Sequence, residues 1–290
     1  MQRNFLLRNS CRPRRHSNSP RAKIALHCAV KMQIKGTCHV HSKYSHDGEI
    51  SLNELKESLK KQGFQFLLLT EHIHDFLPEK IEEILKECQL LSDEQFIIIP
   101  GLELENKGEH FLVIGINESL KNSHDLTQLR SSGAIIVWAH PYKIKSDGIE
   151  GFQIDGLEIW NSCYDSKFFP RWRALRLLKK LRQKNNIFAY GGIDFHRFSH
   201  LGGPFLVADV EKLSQREILE NLKQGKFFVQ RGAITVNSDG TMRPGQKIET
   251  VLFSPILRFL IGLFKFSSKI LAELKISPPK KIKESIRSKI

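Results

Sequence analysis

From residue 32 onward, short apolar runs alternate with amphipathic ones. Strands are predicted at 34–41, 66–70, 96–100, 111–116, 134–140, 156–160, 187–193, 205–210 and 227–230, and helices at 52–62, 78–91, 125–131, 169–184 and 214–223. Ser51 with Glu54, and Ser214 with Glu217, have the spacing of a capping box at two helix starts. Runs such as AIIVWA at 134–139 have no polar face. They belong to strands covered on both sides, as in a parallel sheet flanked by helices. The order implies an α/β domain, either a barrel or an open doubly wound sheet.

Beyond residue 250 the pattern changes. Over 256–275, Ile256, Leu260, Leu263, Phe264, Leu271 and Leu274 fall on one side and Arg258, Lys265 and Lys269 on the other. This is the pattern of a basic amphipathic helix, ended by Pro278 and Pro279 ahead of a basic tail. Such a helix either lies on an anionic membrane surface or packs its apolar face on the domain or on a partner chain. No stretch has the roughly 18 to 20 consecutive apolar residues of a spanning helix.

The net charge of +14 is carried by the ends. Residues 1–31 hold eight Lys/Arg and no acid, residues 252–290 hold nine against two, and 32–251 hold 28 against 29. A central region without net positive charge does not track a long nucleic acid, which favours a small substrate or a short nucleotide end. A local basic strip, Arg171, Arg173, Arg176, Lys179, Lys180 and Arg182, reads as the solvated face of its helix. The expected organisation is a disordered basic extension at 1–31, a catalytic domain at 32–251, and a helix with a basic tail at 252–290. The extension is either an upstream start ahead of Met32 or an organelle presequence. Five scattered cysteines without a CxxC pair imply a reducing compartment and no zinc-thiolate site. The expected location is the cytoplasm, with peripheral membrane contact through 256–275 as the variant.

Ten of the twelve histidines lie in the central region, most of them at strand ends. His39 and His41 alternate so that both imidazoles reach one face, and Asp47 follows in a glycine-containing turn beside His46. An apolar strand stops at Glu71 and His72, with His74 and Asp75 close by. An Ile-rich strand leads to Glu103, with Glu105 as a solvated neighbour, and His110 opens the next strand. His140 follows AIIVWA, while Asp194 and His196 repeat the spacing of the first pair. A carboxylate at the end of a buried strand is costly to desolvate unless a cation neutralises it. Any one of these is an ordinary polar strand end; their convergence at one mouth is a metal site.

HVHSKYSHDG, TEH, PGLE, an isolated histidine before an apolar strand, AHP and GIDFH occur in that order over residues 34–231. This series resembles the polymerase and histidinol phosphatase (PHP) family. The resemblance implies a distorted (β/α)7 TIM-like barrel, a trinuclear site of divalent Zn, Mn or Fe, and phosphoesterase activity. Carried over, His39, His41, Glu103 and Asp194 hold one cation, and Asp47, His72 and His196 a second. Glu103, bridging, joins His110 and His140 on the third. Glu71 stands where many members have aspartate and acts behind the ligands. Arg197 and Arg231 are the candidates for binding phosphate, with surface ion pairs as the plainer account.

The substrate so implied is a phosphorylated small molecule, a nucleotide or a short oligonucleotide. A P-loop is absent, since neither glycine pair has GxxxxGK spacing. An amidohydrolase shares the HxH but predicts a bridging lysine at a strand end. A non-catalytic scaffold bound to a membrane or partner through the C-terminal helix would be favoured by missing ligands; all nine are present, and since a ligand-complete site can still be inert the scaffold stands as the alternative.

Overall fold

A computed structural model describes residues 31–72, 78–117, 125–141, 153–166 and 168–273. Its strands are β1 (Met32–Val40), β2 (Phe66–Leu69), β3 (Glu71–His72), β4 (Ile97–Ile99), β5 (Gly101–Asn106), β6 (Glu109–Ile114), β7 (Ile135–Trp138), β8 (Gly156–Asn161), β9 (Phe188–Gly192), β10 (Phe205–Val210), β11 (Phe227–Arg231) and β12 (Ile234–Asn237). The helices are α1 (Leu52–Lys61), α2 (Pro78–Leu91), α3 (Leu126–Ser131), α4 (Trp172–Leu181), α5 (Gln215–Lys223) and α6 (Pro244–Glu273). Ser51 and Glu54 form the reciprocal capping box of α1. Ser214 caps α5, but the Glu217 carboxylate accepts from the Glu211 and Lys212 N–H groups instead of returning to the cap.

The strands form two six-stranded sheets, in the orders β12-β11-β10-β1-β2-β4 and β3-β5-β6-β7-β8-β9. The α/β expectation holds, with antiparallel pairs among the parallel ones. Two long strands break where a residue interrupts the ladder, Thr70 between β2 and β3 and Pro100 between β4 and β5. Proline has no N–H to give. Each broken strand therefore starts in one sheet and finishes in the other. Strand β6 runs antiparallel to both β5 and β7. The β5–β6 hairpin turns through Lys107 and Gly108, both at positive φ (53° and 77°), as a two-residue primed turn requires.

Alternation places β2 between two cores. Phe66 and Leu68 face the main core with Trp138, Trp160 and Tyr190, whereas Leu67 and Leu69 face a second core with Leu52, Leu55, Leu59, Ile84 and Phe96 beneath α1 and α2. Both faces are dry, which is why these strands read as unbroken apolar runs. The sheets meet where β1 ends: Ile193 N–H donates to Cys38 O (3.0 Å), Phe195 N–H to His39 O (3.1 Å) and His41 N–H to Phe195 O (2.9 Å).

The C-terminal helix begins earlier than the pattern over 256–275 predicts. It starts at Pro244 and runs through Pro255, so residue 252 lies within it. Among its described side chains Thr250 and Ser254 are buried, whereas Ile248, Leu252, Phe253, Ile256, Phe259, Leu260 and Leu263 are exposed. This part does not pack a large apolar face on the domain. The side chains of Arg258, Phe264, Lys265, Lys269 and Leu271, Leu274 itself, residues 1–30 and the tail lie outside the described set. Among the described residues no helix is long and apolar enough to cross a membrane.

Candidate metal centre

Ends of β1, β3 and β7, the first residues of β6, and the segment after β9 converge on one carboxylate, Glu103 within β5. Glu103 Oε2 lies 2.9 Å from His39 Nε2, 3.3 Å from His41 Nε2 and 3.6 Å from His72 Nδ1. Its Oε1 lies 2.7 Å from His110 Nδ1 and 3.1 Å from His140 Nε2. Asp194 Oδ1 is 3.4 Å from both His39 Nε2 and His41 Nε2. Asp47 Oδ2 is 3.0 Å from His196 Nε2 and 4.0 Å from His72 Nε2. All nine expected ligand residues thus stand in one cluster, with Glu103 at its middle.

Among the described residues, three sets of donor atoms are compact enough for a cation: His39, His41, Glu103 and Asp194; His41, His72 and His196; and Glu103, His110 and His140. The first and third are the sets carried over from the family resemblance. In the second, His41 stands where Asp47 was expected, while Asp47 remains at the rim with its side chain 40% exposed.

Simple strand alternation does not produce this convergence. His39 is in the left-handed region (φ 60°), and the β1–β2 register shifts between Cys38 and Val40. Asp194 (φ 52°) lies beyond the end of β9, and His140 (φ 25°) beyond β7. Three of the four described non-glycine residues at positive φ are therefore in the cluster. Such conformations cost about 1–3 kcal/mol each and persist where the surroundings over-determine them. Tight packing does so here: a Cβ on Gly192 would fall 2.0 Å from Glu158 Oε1 and 2.6 Å from His39 Cβ.

The imidazoles are oriented by groups that the sequence reading left out. Glu158, buried in β8, takes His39 Nδ1 on Oε1 (3.0 Å) and accepts on Oε2 from the His140 N–H (2.7 Å) and Asn161 Nδ2 (2.9 Å). Ser45 donates its hydroxyl proton to Glu71, accepts from the His72 N–H (2.8 Å) and lies 3.3 Å from His41 Nδ1. With that proton committed, Ser45 accepts from His41 Nδ1–H. His196 Nδ1 lies 2.9 Å from the Asp194 carbonyl, another pure acceptor. In all three rings the proton is thus fixed on Nδ1 and Nε2 turns to the cluster, an arrangement typical of metal-ligating histidine.

Burial presses the His39 pKa down, yet Asp194, Glu103 and Glu158 together hold it well above its ordinary value. Burial would raise Glu103, but His39 and hydrogen bonds from His110 and His140 keep it well below the carboxylate range. Asp194 is lowered against burial by His39 and His41. His72 moves to about 4, first through burial and then through the neighbouring His41. The first and third sets thus contain buried anions beside nitrogens that accept either a proton or a cation. His41 Nε2 in particular is fully buried and has no hydrogen bond of proper geometry. The residues fit divalent cations, through an N/O donor set without thiolate.

Other predicted positions fall outside the cluster. Arg197 is half exposed and lies 3.8 Å from Glu49. Arg231 is half-buried at the end of β11, and its Nη1 makes no hydrogen bond. Glu105 is exposed at the β5–β6 hairpin. His74 and Asp75 lie outside the described residues. Glu71 behaves as expected, accepting from Ser42 and Ser45 behind the histidines. His200, not expected, receives the His196 N–H on Nδ1 (3.2 Å).

Comparison with known proteins agrees with this arrangement. Residues 37–169 match the PHP domain. The DNA polymerase/3′-5′ exonuclease PolX of Bacillus subtilis (strain 168) is 33% identical over 81 residues, covering 25% of this chain and 14% of that polymerase. A two-domain protein from Bacteroides vulgatus ATCC 8482 containing a predicted PHP-like metal-dependent phosphoesterase shares the fold, with a TM-score of 0.55, 16% identity, and coverage of 71% of this chain and 67% of the other. The lesion-specific endonuclease PfuEndoQ from Pyrococcus furiosus has a TM-score of 0.48 and 17% identity over 71% of this chain and 59% of its own. The match to the PHP domain spans the segments that carry His39, His41, His72, Glu103, His110 and His140.

Proposed function

We propose that this protein hydrolyses phosphate esters of a small molecule, a nucleotide or a short oligonucleotide at a site for three divalent cations. His39, His41, Glu103 and Asp194 would hold the first. His72, His196 and Asp47 would hold the second, with His41 Nε2 facing both, and Glu103, His110 and His140 the third. The observation that carries the reading is the Glu103 carboxylate, buried and approached by five imidazoles on its two oxygens. The finer fold reading, a distorted seven-stranded barrel, is supported by the hydrogen bonds that link β1 to residues 193 and 195.

When bound, the cations supply positive charge that acidifies a water and neutralises phosphate oxygens. The chain's own part is positional. Glu158, Ser45 and the Asp194 carbonyl hold protons on the outer ring nitrogens and keep the inner ones directed at the cluster. Asp47, half open to solvent, marks the side from which substrate enters. Arg197 and Arg231 are the cationic side chains proposed to meet the phosphate.

Purified protein analysed for metal and assayed with Mn2+, Zn2+ and Fe2+ against p-nitrophenyl phosphate, adenosine 3′,5′-bisphosphate and 5′-labelled oligoribonucleotides tests this. Bound metal with turnover on at least one substrate is expected. Absence of both rejects the reading.

A further inference from the structure

The loop after β8 brings an aromatic ring to the cluster that the metal chemistry leaves unused. Asn161 Oδ1 accepts the N–H groups of Cys163 (2.9 Å) and Tyr164 (3.2 Å), and Asp165 closes the turn by accepting the Asn161 N–H (3.0 Å). The Trp160 indole donates to Ser166 O (2.8 Å), so the turn is tied at both ends. The same Asn161 donates through Nδ2 to Glu158, the carboxylate that holds His39 and the His140 backbone. On the other side the Cys163 thiol contacts the Asp194 carbonyl at 3.3 Å. The loop is thereby fastened to two ligand-bearing segments.

That anchoring sets the Tyr164 ring 4.6 Å from the His140 imidazole at 36°, while His140 stacks on His39 at 5.4 Å and 20°. Tyr164 is 41% exposed, whereas His39 is fully buried, so the stack runs from the centre of the cluster to solvent. A rigid aromatic side chain at the rim of a phosphate site offers area to a flat group at low conformational cost.

Building on the phosphoesterase reading, we propose that Tyr164 is a specificity residue: its ring is the platform for a planar aromatic group, such as a nucleobase, carried next to the scissile phosphate. Substrates of this class gain contact area that a polyol phosphate cannot provide.

The test compares wild type, Tyr164→Phe and Tyr164→Leu in the metal-loaded full chain, with adenosine 3′,5′-bisphosphate and glycerol phosphate as substrates. The ratio of kcat/KM for the nucleotide over glycerol phosphate should fall about 5- to 100-fold in Y164L, mostly through KM, and be kept in Y164F. Equal loss on both substrates, or an unchanged ratio, overturns the platform. Calorimetric binding of adenosine 5′-monophosphate and ribose 5-phosphate separates it from the activity proposal. Should no ester be turned over, the phosphoesterase reading fails, yet weaker binding of the nucleotide alone in Y164L would still support the platform. Equal nucleotide affinity in wild type and Y164L, or no nucleotide binding to wild type, overturns it.

Discussion

Glu158 Oε1 faces His39 Nδ1 at 3.0 Å, on the far side of the ring from Glu103, which sits 2.9 Å from Nε2. The imidazole is clamped between two buried carboxylates. Both oxygens of Glu158 accept, one from His39 and the other from His140 N–H and Asn161. Glutamine has only one acceptor oxygen, so Glu158→Gln necessarily turns an NH2 group toward another donor. Metal affinity should fall about 10- to 100-fold, read by competition with a chelating dye. Unaltered affinity would show that Glu158 has no orienting role.

Glu103 makes a different prediction, because it belongs to two of the three donor sets. Glu103→Gln should lower the metal content per chain and reduce turnover by more than the roughly 100-fold limit expected for an orienting residue. Chelation of the wild type should lower Tm reversibly, since a cation at 1,000 times its Kd contributes about 4 kcal/mol. A Tm indifferent to chelator would contradict a site preloaded with metal.

Ser45→Ala removes an acceptor for His41 and the His72 N–H, and a donor to Glu71, all buried or nearly so. Unmet groups of this kind cost about 1–3 kcal/mol. Urea unfolding should show that loss in metal-free protein, accompanied by weaker metal binding. Ser45→Thr, which keeps the hydroxyl, should recover part of both.

Asp93 offers a pH prediction away from the cluster. Hydrogen bonding from the buried Lys56 Nζ, at 2.6 Å, lowers its pKa from 3.8 to about 2, with the N–H groups of Gln95 and Phe96 assisting. A carboxyl with a depressed folded pKa adds stability that is fully present above the unfolded value and is lost as pH falls through the folded one. The gap in urea midpoint between wild type and Asp93→Asn should therefore be constant above about pH 5 and close as pH falls toward 2. A gap that ignores pH would remove the ionised carboxylate from the explanation.

Gly192→Ala tests the close approach behind His39. The added Cβ would overlap Glu158 Oε1 at 2.0 Å, and the neighbouring His39 backbone already sits in the left-handed region. Destabilisation of about 1–3 kcal/mol is expected, with impaired metal binding. Full stability would mean that the two segments separate easily.

Much of this site could be read from the chain because histidines and acids at the ends of apolar runs stand out against their surroundings. Residues 205–210 and 78–91 match their elements, since a dry strand and a two-faced helix have distinct periods. Strand β5 was not expected. Its carboxylates read as the polar end of the Ile-rich strand before it, and the pairing that makes it a strand comes from β6 and β3, which local pattern does not encode. Glu158 was passed over although it is an acid inside GLEIWN, a run otherwise suited to burial. A lone acid there needs a partner, and that signal pointed to it. The sharing of His41 between two donor sets depends on a register shift and a positive φ, neither visible in the spacing of HVH.

The left-handed backbone at His39, His140 and Asp194 also bears on how this chain can change. Glycine would relieve all three positions and asparagine would ease them, whereas valine or isoleucine would be resisted. Selection for stability alone would therefore erode these positions toward small flexible residues. A descendant released from its chemistry should lose those side chains before it loses the surrounding sheets.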